Sequence, residues 1–384
     1  MDFSSKKIVI FSHYATTGAC EELRDWLISQ KARDLTYVAF PFGSNKNTYI
    51  QVDSYSDGQL VNQKRSFFKV RLPEALAYIK DFLYAVFYTL KYARKADVLV
   101  CGDNLLALAS SLARPLASVK NVVYYMIDYT PVRYENKIMN AVYKCVDRLA
   151  AYSVDRVWPL TKEMIEARFD AGVMKTEKVS WRVAPYGCRA VEISPDAVDP
   201  YTIVYMGDIT LNKGAELFVP MMKVLRKECP AARMTVVGGG GDLSRLRKMI
   251  SGSGLEDAFR LHGFVESFDE VLSILQKCAV AVAPYNPYDK NNFTFYSDPG
   301  KIKTYLGCGL PVVLTAVPPV AAILQKKGAG VIAEYSAEDF ARKVCDILQG
   351  EKNPVNLMRT EAAELGREYT WEVIFTDSFK ELFS

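Results

Sequence analysis

Histidine is nearly missing from this chain, with His13 and His262 the only two among 384 residues. That scarcity argues against a histidine-based metal centre. No Asp-x-Asp triplet occurs, which removes one common way of holding a divalent cation against a diphosphate. Cysteines are scattered (Cys20, Cys101, Cys145, Cys188, Cys229, Cys278, Cys308, Cys345), and no two form a Cys-x-x-Cys pair. Lys6-Lys7 runs straight into the apolar Ile8–Phe11 with no signal peptide ahead of it, so reduced thiols in a cytosol are expected. The uncharged run Phe82–Leu90 is far too short to span a bilayer. Repeats and low-complexity segments are absent. The net charge of +4 is too mild to imply nucleic acid.

What is present is a soluble composition, 50% hydrophobic and 24% charged, in a chain long enough for two cores. Apolar strands alternate with helical patterns in both halves. In the first half, strands are expected at Ile8–Phe11, Thr36–Phe40, Val98–Cys101, Val122–Ile127, Arg156–Leu160 and Val179–Ala184. Glu192 to Pro200 reads as a linker. The pattern restarts with strands at Thr202–Met206, Met234–Val237, Arg260–Gly263, Val280–Ala283 and Val312–Thr315, and helices between them. This predicts two α/β domains with doubly wound parallel sheets and a ligand cleft between them. The boundaries read as 1–195 and 200–368, with a last helix over 369–384.

Three strand–loop–helix segments in the second half suit an anion. The first is Ser297-Asp298-Pro299-Gly300-Lys301, where Asp298 is expected to cap a helix and Pro299 to fill its first turn. A helix N-terminus beside Ser297 and Lys301 favours negative charge. The second is Gly238-Gly239-Gly240-Gly241, either a close approach to phosphate or a plain tight turn. The third is Gly207-Asp208 to Lys213-Gly214, where Lys213 reaches a diphosphate or is simply solvated.

Together these segments resemble the C-terminal domain of retaining glycosyltransferases of the GT-B fold, the family-four kind (glycosyl transferases group 1). Gly207 and Lys213-Gly214 match the family's glycine and Lys-Gly pair, and Val237–Gly241 its VGxGP-like turn. Gly263-Phe264-Val265 matches its GFV element, whose backbone faces the nucleobase. Cys308-Gly309-Leu310-Pro311-Val312-Val313 matches CGxPVV, and Tyr369-Thr370-Trp371-Glu372 the YTWE start of a last helix that crosses back to the N-terminal domain. The loop at Gly18 is similar to a degraded GGAE element. Pro299 and Lys301 fit a PxKxxEYLxxG branch. The family's two glutamates fall on Tyr296 and Thr304, and its arginine after the first strand on Asp208.

The resemblance implies the GT-B fold, two Rossmann-like domains facing across a cleft, and hexosyl transfer without a metal or cofactor. The donor would be a UDP- or GDP-sugar held by Gly18, Gly207, Asp208, Lys213, Gly238, Gly239, Gly240, Phe264, Val265, Ser297, Asp298, Gly300, Lys301 and Thr304. The acceptor would be a glycan or a polyprenyl-linked glycan. A non-catalytic binding subunit and a sugar-nucleotide epimerase are the alternatives.

Asp128 follows a parallel strand at its carboxyl end, where it would contact a sugar, take a proton, cap the next helix or pair with Arg133. His13 sits on the same expected rim, as a general base or an ordinary loop histidine. Lys213 completes the catalytic candidates. Between Lys64 and Lys95 the charge is +6, eight cations less two anions. The helical pattern there (Leu72, Leu76, Ile79, Leu83, Val86, Phe87, Leu90) packs on the N-terminal sheet or lies on an anionic membrane. The first is the stronger expectation for the helix. For Lys64, Arg65, Lys69 and Arg71 membrane contact is expected.

Overall fold

Runs such as Ile8–Phe11, Val98–Cys101 and Val280–Ala283 are buried along their whole length. Strands apolar on both faces belong to parallel sheets covered on both sides. A computed structural model describes residues 1–13, 18–41, 49–67, 72–173, 176–211, 214–288, 293–350 and 354–383. The chain forms two units, Met1–Pro185 with Trp371–Ser384, and Tyr186–Thr370.

The first unit contains β1 (Lys7–His13), α1 (Ala19–Ser29), β2 (Asp34–Phe40), β3 (Tyr49–Ser56), β4 (Gln59–Phe67) and α2 (Glu74–Tyr92). It continues with β5 (Val98–Cys101), α3 (Asn104–Ala117), β6 (Asn121–Met126), α4 (Lys137–Ser153), β7 (Arg156–Pro159), α5 (Lys162–Asp170) and β8 (Ser180–Trp181). Its sheet runs β4-β3-β2-β1-β5-β6-β7-β8. All pairs are parallel except β2–β3 and β3–β4.

The β3–β4 hairpin lies where no strand was expected. Asp57 (φ 52°) and Gly58 (φ 78°) form its turn, the left-handed pair that an Asp-Gly hairpin needs. Lys64 and Arg65 therefore sit on a strand at the sheet edge, and Lys69 and Arg71 lie outside the described residues. Arg65 already stacks on Tyr49, 4.8 Å from its ring centroid.

The expectation for α2 needs correcting. Its inward side is Ala85, Tyr88 and Thr89, while Leu76, Ile79, Leu83 and Phe87 are exposed. The helix is apolar on two sides, and only one can meet the sheet.

The second unit contains β9 (Thr202–Met206), α6 (Phe218–Glu228), β10 (Arg233–Val237), α7 (Leu243–Ser251), β11 (Phe259–Gly263), α8 (Phe268–Leu275) and β12 (Val280–Ala283). Then come α9 (Gly300–Gly307), β13 (Val312–Leu314), α10 (Val320–Lys327), β14 (Gly330–Ile332), α11 (Ala337–Gln349) and α12 (Pro354–Glu368). Its sheet is all parallel in the order β11-β10-β9-β12-β13-β14. One core, with Met222, Leu225, Leu246 and Phe340, fills one face, and another, with Leu272, Ile302, Tyr305 and Leu324, fills the other.

The last helix, α13 (Trp371–Phe383), belongs to the first unit. Phe379 meets the rings of Phe3, Trp26 and Trp158 at 5.6, 5.5 and 5.7 Å between centroids. Trp26 Nε1 donates to Glu372 at 2.6 Å. Glu381, which accepts from Arg182 Nη1 at 2.9 Å, is held below the ordinary carboxylate range mainly by that bond. No helix among the described residues is long and apolar enough to cross a membrane.

Candidate functional site

Strand order reverses at β9 and β12 in the second sheet, which opens a crevice at their carboxyl ends. The loops after β9, β10 and β11 converge there. Gly207 N–H donates to the Val237 carbonyl at 2.9 Å, Ile209 N–H to Gly239 at 2.7 Å, and Gly238 N–H to Gly263 at 2.8 Å. Close approach requires glycine at two of these places. At Gly238 (φ 144°) a Cβ would overlap the Gly207 carbonyl. At Gly240 (φ 145°) it would come 2.5 Å from the Ile209 backbone. Gly238 and Gly240 are thus both packed against the loop that begins at Gly207. Phe264 follows Gly263 with 74% of its surface exposed, and Val265 packs on the core below.

Lys301 enters this crevice from the first turn of α9. Its Nζ donates to the Tyr205 hydroxyl at 3.0 Å and lies 4.3 Å from the centre of that ring. Tyr205 in turn donates to the Asp208 carbonyl at 3.0 Å. A Cβ at Gly207 would fall 2.7 Å from Lys301 Nζ, so only glycine leaves the ammonium its place. No described carboxylate lies within ion-pair distance of Lys301. The arrangement holds a positive charge beside a helix N-terminus and a glycine-lined crevice, which suits a phosphate. Asp208 itself is exposed, and its carboxylate accepts from Thr210 at 2.6 Å.

The expected cap by Asp298 is not formed. Pro299 occupies the cap position of α9, which has no side-chain cap. The Asp298 carboxylate instead accepts from Tyr186 N–H at 2.9 Å and pairs with Lys303 Nζ at 3.3 Å, both side chains almost fully buried. Burial pulls the Lys303 ammonium below its usual range, and Asp298 opposes that. Gly300 lies under the Tyr186 ring, which a Cβ would meet at 2.6 Å. Tyr305, one turn on, accepts from Met206 N–H at 2.6 Å and ties α9 to the end of β9. Thr304 Oγ1 donates back to the Gly300 carbonyl at 3.0 Å, so its proton is used within the helix.

Ser297 Oγ and Tyr285 Oη are buried hydroxyls without a hydrogen-bond partner. Sequence reasoning missed Tyr205 and Tyr285, whose ring centres lie 4.3 and 5.6 Å from Lys301 Nζ, and Lys303 as the partner of Asp298. Lys213 lies outside the described residues. Burial and Arg260 lower the His262 imidazole below its ordinary range.

The first sheet reverses between β1 and β5, and two of its polar groups meet at that point. His13 is the last residue of β1, not a loop residue, and its Nε2 pairs with Asp103. Asp103 also caps α3, accepting from Leu106 N–H at 2.8 Å. Burial opposes charge on His13, but Asp103, with help from Asp81, outweighs it and raises the imidazole above its ordinary 6.5. Burial would likewise raise Asp103, but His13 and the α3 amides bring it below 3.8.

The pair's contribution to stability has a defined window. The histidine part is complete below its unfolded value and is lost as pH rises through the raised folded one. The aspartate part is lost as pH falls through its lowered folded value. His13→Gln should therefore cost more stability at about pH 6 than at about pH 9 in urea titrations. A pH-independent cost would show that the pair is not charged.

Gly18 precedes α1 in extended conformation without a side-chain cap. Asp128 is exposed at the end of β6, 3.9 Å from Arg133, while Asn136 caps the following helix.

Residues 200–350 match the family model of glycosyl transferases group 1. No curated protein sequence matches the chain. Among solved structures, the pneumococcal O-GlcNAc transferase GtfA with UDP and GlcNAc is 14% identical with a TM-score of 0.61. That match covers 90% of this chain and 66% of GtfA, so the chain spans just under two thirds of it. Sucrose-phosphate synthase from Thermosynechococcus elongatus is 16% identical, with a TM-score of 0.70 over 98% of this chain and 99% of that one. Anabaena HepE with UDP and glucose is 14% identical, with a TM-score of 0.69 over 99% and 100%. At such identities the likeness is one of fold, and that fold is GT-B, with two Rossmann-like parallel-sheet domains. The family likeness is thus carried by residues 200–350 of the second unit, which are similar to glycosyl transferases group 1.

Proposed function

We propose that this protein is a glycosyltransferase that moves a hexose-type sugar from a UDP-sugar to a hydroxyl of a glycan or lipid-linked acceptor, with retention of configuration. The observation that carries the reading is the Lys301 ammonium, held by Tyr205 beside Gly207, whose loop Gly238 and Gly240 pack against, with no described carboxylate against it. Its charge would stabilise the leaving diphosphate, with Lys213 as a second cation. Phe264 and Val265 would present backbone to the base, and the unmade hydrogen bonds of Ser297 and Tyr285 would meet donor hydroxyls. UDP in the structures of GtfA and HepE supports UDP over GDP. The acceptor would be met on the first unit, near Asp128 and the His13–Asp103 pair. The protein would act in the cytoplasm, at the inner face of a membrane, as in assembly of surface polysaccharide.

One observation favours a second reading. Tyr296 and Thr304 stand where the family has glutamates, and Thr304 spends its proton on Gly300. A binding subunit that no longer transfers sugar would tolerate both. Calorimetric titration with UDP and GDP, then a mass-spectrometric donor screen with a lipid-linked acceptor, separates the readings. UDP binding with transfer supports the enzyme, and UDP binding without transfer supports the subunit. Conversion of the sugar nucleotide with no acceptor would mean an epimerase, and no nucleotide binding would end the proposal.

A further inference from the structure

Ten of the twenty-one large hydrophobic side chains exposed among the described residues lie on α2, α3 and α4. The three helices are neighbours, with α3 packed against both others. On α2 the exposed residues are Leu76, Ile79, Leu83, Tyr84 and Phe87, of which Leu76, Ile79, Leu83 and Phe87 are spaced to fall on one face. On α4 they are Ile138, Val142 and Leu149, again on one face. Leu112 and Leu116 of α3 lie 61% and 76% exposed. Exposed apolar side chains grouped on three adjacent helices are the kind of surface that marks an interaction site.

The charges on these helices lean positive, and the α2 carboxylates, Glu74 and Asp81, stand at helical positions off the face of Leu76, Ile79, Leu83 and Phe87. The sequence of α3 holds no carboxylate, and the one on α4, Asp147, is buried against Arg168 at 2.9 Å. Exposed cations are Lys91 on α2 and Lys137, Lys144 and Arg148 on α4. Lys91 folds over Phe87, its Nζ 5.5 Å from the ring centre, so stem and ring share one surface.

We propose that this three-helix face docks on an anionic bilayer surface, apolar side chains entering the headgroup boundary and lysines meeting the lipid charge. A second copy of the chain is the less suitable occupant, because a two-fold contact would set these cations against each other. The proposal extends the membrane-surface reading above, and its test needs neither donor nor transfer, so the two can fail separately.

The test is flotation at low salt with vesicles of phosphatidylcholine alone and of equal parts phosphatidylcholine and phosphatidylglycerol. The wild type should float with the phosphatidylglycerol vesicles. Leu83→Ser with Phe87→Ser should weaken this by about tenfold or more, since it removes the inserted groups. Lys91→Glu with Lys144→Glu should abolish the preference for the anionic vesicles. All four positions are exposed, and circular dichroism would check that the variants remain folded. Wild type that floats with neither vesicle, or a serine variant that floats as the wild type does, overturns the proposal. So does a wild-type dimer that the serine pair dissociates in light scattering, with no flotation, which would give the face to a second copy.

Discussion

Lys301→Ala should weaken UDP binding by about 30- to 150-fold, the worth of roughly 2–3 kcal/mol for hydrogen bonds to a charged group. The argument is local. Lys301 reaches the crevice at the end of β9, its place kept open by Gly207 and its direction set by the Tyr205 hydroxyl. No described carboxylate neutralises it, so its field is available to a phosphate. Lys301→Arg should recover part of the affinity, because a guanidinium keeps the charge but not the fit beside Gly207. Tyr205→Phe should cost only severalfold, as it frees the ammonium without removing it. Calorimetric titration reads all three. Unchanged affinity in the alanine variant would remove Lys301 from the nucleotide site and with it the main support for the donor reading.

Lys303→Met should lower the stability of the second unit by about 3–5 kcal/mol, since it leaves a buried carboxylate without its counter-charge. Lys303 and Asp298 are 1% and 3% exposed, and the pair anchors the chain just before α9 through Tyr186. Nucleotide affinity should fall with stability, because Ser297, Gly300 and Lys301 share that anchor. Adding Asp298→Asn should restore part of the stability by removing the stranded charge, and would be a non-additive pair. Urea unfolding of the full chain measures both. A loss of under about 0.5 kcal/mol in the single variant would mean that the two groups do not meet as a charged pair.

The parallel sheets were legible because their strands are short apolar runs between glycine turns, as at Val237-Gly238 and Cys308-Gly309. The β3–β4 hairpin was missed although Asp57-Gly58 signals it. Its strands are mostly polar, and β4 carries Lys64 and Arg65 in the polar run from Asn62 to Ser66, so neither shows the apolar run that marks the parallel strands. The glycine loops and Lys301 were readable as phosphate elements, since their chemistry is local to each turn. Asp298 was not, because helix-capping chemistry at that spot is locally reasonable, whereas its actual partners come from 112 residues away at Tyr186 and from Lys303. His13 and Asp103 lie 90 positions apart and meet only because β1 and β5 are neighbours. Periodicity also revealed that α2 has an apolar stripe, but not that its other side would be the one to meet the sheet.

The assignment of α13 to the first unit has a consequence for how the chain is made. Phe3, Trp26 and Trp158 wait for Phe379, and Trp26 for Glu372, across nearly the whole length of the polypeptide. During synthesis the N-terminal sheet leaves the ribosome early but lacks its closing helix until Trp371–Phe383 has emerged, while the second unit, contiguous from Tyr186 to Thr370, can fold first. A stop codon just ahead of Trp371 would thus spare the second unit and strand the first, with its aromatic rings open to chaperones.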